Sequence, residues 1–88
     1  MLGRVPLEHL AAFSALWHGR IDVATEHLVR FLASQPEHRL ARVQLAELWA
    51  IRGRPAEARE QLERVLAADP EHAAALRAWS AAGFDPRP

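Results

Sequence analysis

Apolar residues along this chain recur at intervals of three and four positions, the spacing that places side chains on one face of an α-helix. The stretch that follows Pro55 is the clearest case, because its charged residues occupy the positions between the apolar ones. Its expected core face consists of Ala58, Leu62, Val65 and Leu66. No stretch alternates with the period of two that is typical of a β-strand. The pattern therefore predicts an all-α protein.

Proline and glycine divide this pattern into five predicted helices. Pro6 suits the first turn of a helix that we expect to end near His18, with a turn beginning at Gly19. Gly53 and Gly83 are placed to end the third and the fifth helix. The second to fifth helices are expected at residues 21–34, at 37–52, from 55 onwards and at 71–82. Turns this short make neighbouring helices pack antiparallel.

The chain also contains an internal repeat. The segment at residues 53–72 is a second version of the segment at residues 19–38, and both open on Gly-Arg and close on Pro-Glu-His. Equivalent residues, such as Gly19 and Gly53, lie 34 positions apart without any gap. A third copy begins at Ala73 and breaks off after one helix. A fixed period of this size indicates an array of helical repeats, an α-solenoid.

The second copy resembles the tetratricopeptide repeat, in which pairs of antiparallel helices stack side by side. Small residues are expected at Ala46 and Ala58, because the two helices of a repeat approach closely there. The residues that match the family pattern are Leu45, Ala46, Trp49, Ala58, Leu62 and Pro70. The resemblance covers residues 5–83 and implies a single domain. Its expected parts are a first repeat at residues 5–38, a second at 39–72, a capping helix at 73–83 and a tail at 84–88.

The first copy departs from the family pattern in its first helix. At the positions where the family has a bulky residue, a leucine and an aromatic, this chain has Glu8, Ala11 and Ala15. The bulky apolar residues are instead Leu10, Phe13, Leu16 and Trp17. Leu10, Phe13 and Trp17 form one stripe along the helix. Two interpretations of the stripe stay open. A rotated helix would bury it in the core, whereas the family alignment exposes it as an interface.

The resemblance implies that the first helices of the repeats line a concave groove, which binds a peptide or a segment of another protein. Apolar anchors in such a groove supply affinity, and polar residues supply orientation. Mapped onto this sequence, the expected partner-binding residues are His9, Leu10, Phe13, Trp17, Val43, Gln44, Glu47, Ile51 and Arg77. The resemblance therefore implies a non-enzymatic interaction module.

Self-assembly is the alternative hypothesis. Two repeats are fewer than the three that usually make a stable stack. Two copies could supply the missing burial by pairing through Phe13 and Trp17, or through the alanine-rich fifth helix. A homodimer with twofold symmetry is the expected form.

Charge and composition narrow the range of partners and compartments. Eleven acidic and eleven basic residues give no formal net charge, so overall attraction to nucleic acid is not expected. The absence of cysteine excludes disulfides and thiolate metal sites. No apolar run reaches the roughly 18 residues of a membrane span, and residues 1–10 lack the apolar centre of a signal peptide. We therefore expect a cytoplasmic protein that does not insert into a membrane.

Five histidines raise the question of a metal site or a catalytic site. His9, His18 and His27 are nine residues apart, which on one helix puts successive members on opposite faces. No two histidines have the spacing of four that is typical of a helical metal site. Asp22 and Glu26 share a helical face, but no nucleophile or phosphate-binding loop accompanies them. We expect no metal site, no cofactor and no enzymatic activity.

Overall fold

The computed structural model describes the backbone of residues 7–88 and the side chains of residues 19–88. Within these residues the secondary structure is entirely helical, which confirms the predicted all-α class. The helices are α1 (Leu7–Ser34), α2 (Arg39–Ile51), α3 (Pro55–Ala68) and α4 (Ala73–Ala81). The prediction of five helices is wrong, because the first two predicted helices form the single helix α1.

Helix α1 runs for 28 residues and passes through Gly19 without a turn. Its repeat equivalent, Gly53, has a φ of 74° and ends α2. The difference lies two residues further on, where Pro55 begins α3. A proline disfavours helical conformation in the residue before it, and Arg54 is indeed not helical, with φ −116° and ψ 71°. The first copy has Ile21 in place of that proline, so its helix continues.

Two equivalent histidines begin the helices that start each later repeat. His38 precedes α2, and its Nδ1 accepts a hydrogen bond of 3.1 Å from the backbone N–H of Ala41. His72 precedes α4 and accepts one of 3.2 Å from Ala75 in the same way. Each imidazole thereby satisfies one of the N–H groups that a helix start leaves without a helical partner.

The main core lies between α2, α3 and α4. Ala46 of α2 and Ala58 of α3 are both buried, and their small side chains allow the two helices to approach closely. Trp79 is the largest of the fully buried side chains, and it brings α4 into the same cluster. The buried members of this core are Val43, Ala46, Ala58, Leu62, Val65, Leu66, Ala75 and Trp79. Ala75 shows that the alanine-rich helix packs inward rather than presenting a uniformly free surface.

A smaller cluster joins the second half of α1 to α2. Leu32 packs with Leu45 there, and the half-buried Trp49 contacts both clusters. At the other end of the interface between α1 and α2, Arg52 Nε lies 3.2 Å from Asp22 Oδ1. Asp22 follows Gly19 closely in α1, so the part of α1 before Gly19 extends past the carboxyl end of α2.

The last five residues fold back onto α4. The indole Nε1 of Trp79 donates a hydrogen bond of 3.1 Å to the carbonyl of Pro86. The ring of Phe84 contacts the ring of Trp79 edge-on, with centroids 5.2 Å apart. Ser80 donates to the carboxylate of Asp85 at 2.7 Å. The tail therefore covers the buried tryptophan on the side that α2 and α3 leave open.

Replacing the two equivalent glycines by alanine should change stability in opposite directions. Gly53→Ala should lower the free energy of unfolding by about 1–2 kcal/mol, because alanine is strained at positive φ. Gly19→Ala should raise it by about 0.5–1 kcal/mol, because alanine is the better residue inside a helix, and no atom lies within 4 Å of the position its Cβ would take. Urea unfolding at one protein concentration measures both, and a loss of stability in Gly19→Ala would contradict the continuous helix.

Candidate functional site

A shallow apolar groove runs between α2 and α4, with a volume of about 220 Å³. Glu47 and Ile51 line it on the side of α2, and Ala78 lines it on the side of α4. Leu62 of α3, almost fully buried, closes it from below. The groove exists because α4 carries alanine on this face, so no long side chain fills the space between the two helices.

One face of α2 continues the groove as an exposed stripe. Its members are spaced by four, three and four residues, which aligns them along the helix. The stripe consists of Leu40, Gln44, Glu47 and Ile51, all of which are exposed. Leu40 is 50% exposed and Ile51 54% exposed. Gln44 and Glu47 lie between these two apolar residues, and only Ile51 lines the groove itself. Exposed apolar side chains beside an apolar groove are typical of an interaction surface.

The structure brings together some of the partner-binding residues that the sequence predicts. Gln44, Glu47 and Ile51 lie on the stripe, and the last two line the groove. Arg77 is exposed on α4 next to Ala78, but it does not line the groove.

Val43 is a correction to the predicted site. Its side chain is 1% exposed and belongs to the main core. It precedes Gln44 by one residue, which is a rotation of about 100° around the helix axis. That rotation turns Val43 from the groove towards α3 and α4, so a partner cannot reach it.

The remaining predicted site residues stay a prediction, because their side chains lie outside the described residues. They are His9, Leu10, Phe13 and Trp17. The backbone that carries them is the first half of α1.

Leu40 is a candidate partner-binding residue that is not among those predicted from the sequence. The spacing of residues indicates it, because Leu40 lies four residues before Gln44 and eleven before Ile51, on the same helical face. The sequence shows that α4 is rich in alanine, but a groove depends on how closely α2 and α4 pack, which a spacing pattern does not show.

A second cleft lies between α1 and α2, with a volume of about 470 Å³. Val23 and Val29 of α1 are about half exposed there, next to the half-buried Trp49. The guanidinium of Arg52 lies 5.0 Å from the centroid of the Trp49 ring, a cation–π contact that holds the arginine over the aromatic face. Four charged side chains line this cleft, namely Asp22, Glu26, Arg30 and Arg52, whereas one lines the groove.

The side chains that line the groove are mostly apolar, so they can make apolar contacts with a partner. Glu47 is the one charged residue that lines it. Across the residues whose side chains are described, no group of three or more histidines and carboxylates could hold a metal ion. The hydrogen bond from Arg54 lowers the pKa of Glu57, but this pair lies at the exposed start of α3.

Over residues 7–88, no helix combines the length and the apolarity that crossing a membrane requires.

Comparison with known proteins yields one family. The family model described as tetratricopeptide repeat matches residues 10–73 and, in a second match, residues 52–82. The two matches together cover most of α1 and all of α2, α3 and α4. No curated protein and no solved structure matches the chain.

Alanine substitutions should separate the core residue from the groove residue. Val43→Ala should lower the free energy of unfolding by about 2 kcal/mol, because it leaves a cavity in a packed core. Ile51→Ala should change it by less than about 0.5 kcal/mol, because the side chain is already half in water. Thermal unfolding followed by circular dichroism measures both. Equal losses for the two variants would contradict the placement of Val43.

Proposed function

Because the chain belongs to the tetratricopeptide repeat family, whose repeats generally mediate contacts between proteins, we propose that it is a non-catalytic interaction module. In this proposal a segment of another protein binds in the groove between α2 and α4. The observation that carries the proposal is the apolar groove between α2 and α4, with the exposed stripe of α2 beside it.

The size of the groove favours side chains of a polypeptide over a small molecule. Sites for small molecules usually have volumes of about 300–1,000 Å³ and enclose most of the ligand, whereas this groove has about 220 Å³ and is shallow. A polypeptide segment needs room only for a few apolar side chains, while the rest of it lies across Leu40 and Ile51.

The charge of the groove defines its partner further. Glu47 lines the groove and no basic residue does, which favours a segment with a basic side chain among its apolar ones. The same carboxylate would repel the phosphates of a nucleic acid. Gln44 and Arg77, both exposed on the flanking helices, would orient the bound segment through hydrogen bonds.

The groove requires little rearrangement before it binds. The three helices that form it share the main core, with Leu62 and Trp79 fully buried. A surface held in place by a packed core avoids the entropic cost of ordering loops on binding.

Site-specific photo-crosslinking tests this function. A photoreactive amino acid at position 51 should crosslink a discrete protein in the cells of origin, whereas the same amino acid at Glu60, on the outer face of α3, should not. Ala78→Arg places a long charged side chain in the groove, so it should reduce the crosslink at position 51 by about tenfold or more, equivalent to about 1.4 kcal/mol of binding free energy.

The folding control for this experiment is the helical circular dichroism of the Ala78→Arg variant, which should match that of the native chain. Equal crosslinking from positions 51 and 60 would contradict the proposal. So would an undiminished crosslink in the folded Ala78→Arg variant.

A further inference from the structure

One face of α1 is less buried than its repeat equivalent on α3. Ala58, Leu62 and Val65 of α3 are each 1% exposed. The residues 34 positions earlier are Ala24, Leu28 and Phe31, of which the first two are only partly buried and Phe31 is 39% exposed. We call these three residues the open face of α1. The residue types are similar in the two copies, so the difference comes from what packs against them.

Helix α3 buries its face mainly against α2, the helix that precedes it across the turn at Gly53. Among residues 7–88, no helix takes that place beside α1, because residues 7–18 continue α1 instead of turning back. Phe31 makes an edge contact with the ring of His38 at a centroid distance of 5.1 Å, and it is still 39% exposed. The open face therefore lacks the helix that the repeat provides for α3.

We propose that residues 7–18 of a second copy cover the open face of α1, and that the two copies exchange these segments reciprocally. The result is a domain-swapped dimer with twofold symmetry. This inference is independent of partner binding in the groove.

The internal repeat identifies residues 7–18 as the segment that fits. They align with α2, which covers the equivalent face of α3, and Ala12 aligns with the fully buried Ala46. A small residue at that place allows the covering helix to approach closely, as Ala46 and Ala58 do in the second repeat. Residues 7–18 align with residues 41–52, so the segment matches all of α2 except its first two residues.

The continuity of α1 explains why the covering segment comes from another chain. Ala12 and Ala24 are twelve residues apart in one helix, which separates them by about 18 Å along its axis. A continuous helix cannot lay its own first half against its second half. Its first half instead extends past the end of α2, where a second copy can receive it.

The uncovered apolar surface of the open face belongs mainly to Phe31, which is 39% exposed, because Leu28 already packs against Leu32, Ala41 and Leu45.

Engineered disulfides test the exchange, since the chain has no cysteine of its own. The variant carrying Ala12→Cys and Ala24→Cys should oxidise to a covalent dimer on a non-reducing gel. The Cα atoms of a disulfide lie within about 7 Å, so these two cysteines cannot join within one continuous helix. The matched control carries Ala46→Cys and Ala58→Cys. These two cysteines should join within one chain, so the control should run at the mass of a single chain on the same gel.

A disulfide-linked monomer from the Ala12/Ala24 pair would overturn the proposal, because it would mean that the segment folds back on its own chain. A reduced Ala12/Ala24 pair beside an oxidised control would overturn it as well. Mixing the two single variants should give a mixed covalent dimer, while each single variant alone should not.

Light scattering on the native chain provides a measurement that needs no substitution. It should give the mass of two chains. The mass of one chain at every concentration tested would overturn the proposal.

Discussion

The close approach of α2 and α3 is the contact on which the rest of the structure depends. Alanine at positions 46 and 58 lets the two backbones come together, and both residues are fully buried. A larger residue at either position would push the helices apart at a cost of about 1–3 kcal/mol. Because α2 and α3 are held at this distance, Trp79 of α4 has a fixed site to fill, and the groove beside Ala78 has a fixed width.

The same repeat unit folds in two ways in this chain, and the reason is local. In the second copy Gly53 takes a positive φ and Pro55 prevents the helix from continuing. In the first copy a glycine without a following proline permits a turn but does not require one. Helix α1 keeps its hydrogen bonds through Gly19, and the consequence is an open face on α1 that α3 does not have.

Much of the fold follows from the spacing of residues. The all-α class, the turn at Gly53, the start of α3 at Pro55 and the matching faces of the second repeat were all predictable, because each depends on local conformational preference. The turn expected at Gly19 is wrong, because that prediction rested on the glycine alone. The first copy lacks the proline that follows Gly53 two residues later. Of the predicted site, Glu47 and Ile51 line a groove, but Val43 lies in the core. Neighbours in sequence differ by about 100° around a helix, and only the packing of α4 showed which of them faces outward.

Helix α1 is continuous through Gly19, and a distance within it tests this continuity most directly. Spin labels on Glu8→Cys and Arg30→Cys, diluted with unlabelled chain so that only distances within one molecule are seen, can be measured by pulsed electron paramagnetic resonance. Twenty-two residues of helix predict a separation of about 33 Å. A separation near the roughly 10 Å between packed helices would mean that the chain turns at Gly19, and would contradict the account.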